Sequence, residues 1–118
     1  MAFLDSQPLE RLYVSTVTLA EFRFGIERVI EPTKRSELSG WLQNMVRPMF
    51  EQRVLPVSED VLVKWRLLID DGRCVGHTYS HPDLLIAATA LQFGLTVVSR
   101  DESEFSMAHT PCLNPWKA

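Results

Sequence analysis

Four acidic residues occur where an α/β protein commonly gathers carboxylates. Glu21 follows a strand-like run, Asp83 opens an apolar helical run, and Asp101 and Glu104 follow the run LTVVS. Carboxylates about 4 Å apart repel by roughly 4 kcal/mol at an effective dielectric constant near 20, so such a group needs protons, basic partners or a bridging cation. Hard divalent ions such as Mg²⁺ or Mn²⁺ prefer oxygen ligands. These residues therefore predict metal-assisted hydrolysis.

The same positions also have a purely structural interpretation. Acidic residues in the first turn of a helix oppose the helix dipole, and Thr18 with Glu21 has the spacing of a capping box, which would place Glu21 in a first turn without any metal. The acids after LTVVS would then belong to a solvated turn. Asp83 is the hardest to explain in this way, because it precedes a very apolar helix. Spacing alone leaves both interpretations open.

Alternating strand-like and helix-like segments position these acids. The predicted strands are residues 12–16, 53–57 and 95–99, the last one buried on both faces. The predicted helices are residues 18–30, with Pro32 ending the helix, residues 33–52 with a kink at Pro48, a helix from Ser58 to residue 69, and one from Ser80 or His81 to Gly94. A loop is predicted over 70–79 and a turn over 100–105. Short connections indicate one α/β domain over residues 1–118 with a mostly parallel sheet. Such sheets bind ligands at the carboxyl ends of their strands, so we expect the acids to share one edge.

Composition limits the classes of function. The 118 residues are 46% hydrophobic, enough for one modest core. A net charge of -3 argues against binding RNA through bulk charge, so contact has to be local or through a cation between carboxylate and phosphate. Two cysteines, Cys74 and Cys112, favour a reducing cytosol and are predicted to be buried. No apolar run is long enough for a membrane span, and a cytoplasmic protein is expected.

Four local patterns resemble, in their order, the PIN-domain toxin ribonucleases of toxin–antitoxin systems, of the virulence-associated and FitB-like type. The patterns are YVSTVTLAEFRFGIERV, HPDLLIAATAL, FGLTVVSRDESEF and LNPW. The resemblance covers nearly the whole chain and implies a three-layer α/β/α PIN-like domain. It also implies a Mg²⁺- or Mn²⁺-dependent endoribonuclease that hydrolyses RNA, an antitoxin partner and a homodimer.

The resemblance further implies roles for individual residues. The implied catalytic residues are Glu21, Asp83 and Asp101, and the implied metal ligands are the same three together with Glu104. Either Asp101 or Glu104 could fill the family's last acidic position. Three further residues are candidates for contact with the RNA substrate: Ser99, Arg100 and Arg23.

The beginning of the sequence departs from the family's pattern. Members start with a strand that ends in an Asp-Thr/Ser-Asn motif and then a helix, whereas MAFLDSQP resembles the end of that helix. Asp5 cannot replace the missing aspartate, because the wrong element carries it. The chain is therefore expected to be N-terminally truncated, with its central first strand missing and its metal binding weakened. A misassigned or engineered start, a natural relic, and a second chain that fills the gap by strand swapping remain open explanations.

Other functions compete with the nuclease interpretation. The main alternative is a catalytically inactive PIN-like module that binds antitoxin or self-associates, which the missing strand supports. A flavodoxin-like phospho-acceptor also has acids at strand ends, but the sequence lacks its early acidic pair and late lysine. A zinc site could use His77 and His81 with His109, although His77 lies in a glycine-containing loop. A serine hydrolase is disfavoured because the G-x-S-x-G motif is absent.

Overall fold

The computed structural model describes residues 8–99 and 102–114. The chain forms two compact units, Met1–Leu55 and Pro56–Ala118, and the single domain predicted for residues 1–118 stays a prediction. The predictions for Asp5, Arg100, Asp101 and the first strand fall outside the described residues. Within the described ranges, no helix has both the length and the apolar character of a membrane span.

The first unit consists of helices and one pair of short parallel strands. Its elements are a 3-10 turn Leu9–Arg11, strand β1 Val14–Ser15, helix α1 Thr16–Glu27, helix α2 Pro32–Trp41, a π-helical segment Leu42–Val46, a helical turn Arg47–Met49, and strand β2 Val54–Leu55. In the parallel pair, Val14 lies opposite Val54 and Ser15 opposite Leu55. The strands predicted over 12–16 and 53–57 are thus present but shorter.

Pro32 begins a helix instead of ending one, so this prediction was wrong. A proline lacks the backbone N–H, and the first turn of a helix is where that loss costs nothing. Glu31 is the N-cap, and its carboxylate accepts hydrogen bonds from the backbone N–H groups of Lys34 at 2.7 Å and Thr33 at 3.0 Å. These two bonds, the one from Lys34 first, lower the pKa of Glu31.

The kink predicted at Pro48 takes the form of a π-helical segment just before it. The backbone N–H of Arg47 donates to the carbonyl of Leu42, five residues back. Because a proline ring collides with the carbonyl four residues before it, a wider turn relieves the crowding around Asn44. The helix predicted over residues 33–52 is therefore interrupted rather than continuous.

The core of the first unit is small. It contains Leu19 from α1 with Leu42 and Val46, and partly buried apolar side chains pack around them. The broad inward apolar face predicted for residues 33–52 is only partly correct, because Trp41 and Met45 are 45% and 60% exposed. Two buried residues from that face are enough to dock it on α1.

The second unit contains the longer helices and a second parallel strand pair. Its elements are α3 Glu59–Cys74, α4 His81–Phe93, β3 Val97–Val98, α5 Glu102–Met107 and β4 Cys112–Leu113. In the pair, Val97 lies opposite Cys112 and Val98 opposite Leu113. Buried residues of α3, α4 and α5, among them Val61, Leu84, Ala88 and Phe105, form one core.

Local signals at three helix ends were read correctly. The Ser58 hydroxyl accepts the backbone N–H of Val61 at 3.3 Å and caps α3. Ser80 precedes α4, with Pro82 in its first turn. Gly94 ends α4 with φ 67°, in the left-handed region that favours glycine.

Four predictions for the second unit were wrong. The loop expected over 70–79 begins only after Cys74, where α3 ends. Residues Glu102–Met107 form a helix rather than part of a turn. Strand β3 is not buried on both faces, because Val98 is 38% exposed. Cys74 is exposed on the last turn of α3, whereas Cys112 is partly buried.

Gly72 lies inside α3, and a glycine is required there because the ring of Tyr79 occupies the space that a side chain would need. A Cβ atom at Gly72 would lie 2.7 Å from Cε2 of Tyr79 and 3.0 Å from the carbonyl oxygen of His77. Glycine normally weakens a helix, but here it allows the following loop to pack closely. Gly72, which in the sequence indicated a loop, is instead required for close packing against Tyr79.

Replacing Gly72 by Ala is expected to lower the free energy of unfolding by about 1–3 kcal/mol, the usual range for overpacking. Urea denaturation measures this change. Gly25→Ala in α1 is the matched control, since nothing lies within 4 Å of its Cβ position. That control should gain roughly 0.5–1 kcal/mol from helix propensity. Unchanged stability of Gly72→Ala would contradict the packing described for Tyr79.

Candidate active site

Glu21 lies on α1, which starts directly after β1. The hydroxyl of buried Ser15 accepts the backbone N–H of Thr18 at 3.0 Å and lies 3.1 Å from the Thr18 hydroxyl. This cap starts the helix at Thr16, so the capping box predicted for Thr18 and Glu21 was wrong. Glu21 is the sixth residue of α1, in the second turn, and is exposed. Its carboxylate is therefore not used in capping and is open to solvent.

Arg23 does not share a helix face with Glu21. Residues two positions apart on an α-helix point to nearly opposite sides. Arg23 is exposed. A phosphate held by Arg23 would thus approach α1 from another side than a ligand of Glu21.

Asp83 is the third residue of α4, in its first turn as predicted. It is partly buried, and the next residue, Leu84, is 2% exposed in the core of the second unit. The N-cap Ser80 makes no side-chain capping bond, although its carbonyl accepts the backbone N–H of Leu84 at 3.0 Å. Buried Leu84 therefore holds the first turn of α4 against the core. Asp83 is the acidic residue of this turn.

Ser99 follows the carboxyl end of β3. Its backbone N–H donates to the carbonyl of Leu113 at 3.0 Å, which extends the contact between β3 and β4. The predictions for Arg100 and Asp101 fall on the next two residues, which lie outside the described ranges. Glu102 then begins α5, so this short helix starts close to the carboxyl end of β3.

Glu104 lies in the first turn of α5 and faces a histidine. Its Oε1 is 3.2 Å from Nε2 of His77, and the two side chains are 22% and 26% exposed. The distance suits an ion pair, while the angles do not form an aligned hydrogen bond. The second oxygen of Glu104, Oε2, is buried and has no hydrogen-bond partner among the described residues. Glu104 is thus not the solvated turn residue of the structural interpretation.

Tyr79 lies beside His77, and together with Glu104 the three residues form a cluster. Its ring meets the His77 ring edge-on, with centroids 4.4 Å apart. Burial raises the pKa of Tyr79, and the negative charges of Glu104 and Asp71 raise it further. No pattern in the sequence predicts this cluster, although His77 was a candidate zinc ligand. Only the fold brings residues so distant in sequence together.

The zinc interpretation finds no support in the geometry. His77 faces Glu104, while the ring of His81 lies 6.2 Å from that of Trp65. In residues 8–99 and 102–114, no three His, Cys, Asp or Glu side chains are grouped closely enough to hold a metal ion. The proposed cation site therefore stays a prediction, with Asp101 outside the described part.

The structure brings Asp83 and Glu104 into one unit. Helices α4 and α5, which carry them, pack against each other, and each acid is followed by a core residue, Leu84 or Phe105. Both carboxylates lie in first turns, where a negative charge opposes the helix dipole. Glu21 belongs to the other unit.

A cavity of about 500 Å³ in the first unit contains none of the predicted site residues. It lies between the end of α1 and α2, and its lining includes Glu27, Arg35, Ser39 and Gln43. The guanidinium of Arg35 donates to the carbonyl of Val29 at 3.1 Å. We assign the cavity no part in the predicted chemistry.

The chain as a whole matches one protein family. Residues 1–109 match the family model described as the PIN domain, and the chain belongs to the PIN-domain family. Its fold is a PIN-like α/β fold with short parallel strands.

Two relatives match almost all of this chain. It is 35% identical over 116 residues to Toxin FitB of Neisseria gonorrhoeae, covering 98% of this chain and 84% of the relative. It is 34% identical over 117 residues to VapC ribonuclease Y4jK of Sinorhizobium fredii, covering 99% of this chain and 84% of the relative. The crystal structure of FitAcB from Neisseria gonorrhoeae superimposes with a TM-score of 0.93 at 35% identity, covering 99% of this chain and 84% of that chain. These similarities agree with the family resemblance seen in the sequence.

Proposed function

We propose that this protein is the toxin of a toxin–antitoxin pair and hydrolyses RNA with the help of Mg²⁺ or Mn²⁺. The observation that carries the proposal is the 34% identity to a VapC ribonuclease over 117 residues, 99% of the chain. The match to Toxin FitB over a similar length supports the toxin role. RNA is the substrate class and an antitoxin protein is the partner that these relatives indicate.

The proposed cation ligands are carboxylates: Glu21, Asp83, Asp101 and Glu104. Buried Oε2 of Glu104, which lacks a partner among the described residues, fits this role. A buried carboxylate oxygen without a donor is costly, and a hard cation is one group that satisfies it. The donor set therefore suits Mg²⁺ or Mn²⁺.

The protein's own residues have distinct parts in the proposed reaction. When bound, a divalent ion polarises the phosphodiester and assists attack by water. Asp83 lies in the first turn of α4 next to buried Leu84, so the backbone that carries its carboxylate is held by the core. Ser99, at the end of β3, and Arg100 are the proposed contacts to the RNA backbone near the ion. Arg23, which faces another side of α1 than Glu21, would contact a different part of the RNA.

Charge also favours local recognition of RNA. The net charge of -3 offers no general attraction for phosphate. A divalent cation held by these carboxylates would cancel part of their negative charge and offer the phosphate a local positive charge. We therefore expect RNA binding to be weak without Mg²⁺ or Mn²⁺.

The test is cleavage of an RNA pool by the purified chain. We expect cleavage with Mg²⁺ or Mn²⁺, complete loss with EDTA, and recovery when the ion is restored. Attack by water leaves a phosphate on one product end, a hydroxyl on the other, and no 2′,3′-cyclic phosphate. A folded protein that cleaves neither a random RNA pool nor total cellular RNA would overturn the nuclease part of the proposal.

Exposed aromatic side chains favour a second candidate, an inactive module that binds antitoxin or its own copy. Phe22 on α1 and Trp41 on α2 meet edge-on, with centroids 5.8 Å apart, and are 38% and 45% exposed. Phe24 on α1 and Met45 in the π-helical segment after α2 are 58% and 60% exposed. Contiguous exposed apolar patches mark sites where another chain binds, and the touching rings of Phe22 and Trp41 form the start of such a patch. A folded protein that forms dimers in light scattering but cleaves no RNA would favour this candidate.

A further inference from the structure

The pairing of His77 with Glu104 joins two segments that are distant in sequence. His77 lies in the loop between α3 and α4, whereas Glu104 lies in the first turn of α5. Nε2 of His77 stands 3.2 Å from Oε1 of Glu104. Only one of the two carboxylate oxygens is therefore taken by the histidine.

His77 is itself held firmly. Its backbone N–H donates to the carbonyl of Gly72 at 2.8 Å, and the Tyr79 ring packs edge-on against the imidazole. The same Tyr79 ring fills the space above Gly72. The imidazole is thus fixed by the end of α3 and by an aromatic neighbour, so it can orient a partner.

Glu104 is held from its own side by the core. Phe105, the next residue, is 2% exposed and packs with residues of α3 and α4. This leaves Oε2 buried, with no hydrogen-bond partner among residues 8–99 and 102–114. A carboxylate with one oxygen paired and the other buried without a donor suits a metal ligand, because a hard cation would satisfy the second oxygen.

We propose that His77 is a positioning residue, which holds Oε1 of Glu104 and thereby presents Oε2 to the divalent cation. This inference rests on the proposed function and deepens it, since it selects Glu104 as a ligand. Residues that hold metal ligands from outside the coordination sphere, here through the 3.2 Å ion-pair contact, fix the ligand's orientation, and their loss typically costs 10- to 100-fold in metal affinity. His77 would contact neither the ion nor the RNA.

The test is the affinity for Mn²⁺ alone, measured by electron paramagnetic resonance on the full chain. His77→Ala is expected to weaken Mn²⁺ binding by roughly 10- to 100-fold. His77→Gln should recover most of the affinity, because its side-chain amide can donate to Oε1. His109→Asn is the matched histidine control, since His109 is exposed and asparagine tolerates its φ of 55°.

A double variant separates positioning from general stability. Glu104→Gln should weaken Mn²⁺ binding at least as much as His77→Ala, and adding His77→Ala to it should cause no further loss. Two residues that act through one contact are non-additive in this way. Additive losses would overturn the proposal.

The remaining outcomes are also decisive. If His77→Ala lowers stability but changes Mn²⁺ affinity by less than about twofold, Glu104 only braces the loop and the proposal fails, even if RNA is cleaved. If the wild type binds Mn²⁺ and the variants behave as expected but RNA is not cleaved, the nuclease function fails and the positioning role stands. Absence of Mn²⁺ binding by the folded wild type would overturn the positioning role.

Discussion

Replacing Asp83 by Asn is expected to lower the rate of metal-dependent RNA cleavage by roughly 100- to 1,000-fold, the usual cost of removing one group that stabilises charge in the transition state. Asn keeps the shape of the side chain and removes the negative charge that a cation needs. No other residue of the first turn of α4 is acidic, so no neighbouring carboxylate of that turn can replace Asp83. Initial rates under saturating Mn²⁺ measure the effect.

The control for Asp83→Asn is Asp70→Asn, an exposed aspartate on α3. It should cleave RNA at nearly the wild-type rate. Thermal unfolding distinguishes lost chemistry from lost structure, because weakening of the helix-dipole interaction should cost only about 0.3–1 kcal/mol. Asp83→Asn with wild-type activity would remove the central carboxylate from the proposed site.

Replacing Phe105 by Ala is expected to lower the free energy of unfolding by about 3–5 kcal/mol. The ring is 2% exposed and belongs to the core formed by α3, α4 and α5. Its removal leaves a cavity that neighbours on three helices fill only in part. Urea denaturation followed by circular dichroism measures the loss.

Phe93→Ala provides a matched comparison within the same unit, since Phe93 is 45% exposed at the end of α4. Its cost should stay well below that of Phe105→Ala, because the side chain already meets solvent. Equal losses in the two variants would contradict the core described for α5. Because Phe105 follows Glu104, Phe105→Ala should also weaken Mn²⁺ binding if Glu104 is a ligand.

Much of the local structure could be predicted because it depends on residues near each other in sequence. Ser58 as a cap, Gly94 as the end of α4, and Asp83 in a first turn were all correctly predicted. A helix cap is made by side chains within three or four positions of the helix end, so its signal is local. Glu21 was placed on the correct helix but one turn too early, since Ser15 competes with Thr18 as the cap.

The amino-acid sequence by itself determined the PIN-domain family, the order of the helices and the segments that carry the acids. The tertiary structure decided that α3 continues through Gly72, that Glu104 is partly buried, and that His77 meets it. These features depend on Tyr79 packing over Gly72 and on a contact between residues 77 and 104. Neither propensity nor spacing encodes such contacts, because the energy that forms them comes from packing between segments distant in the chain.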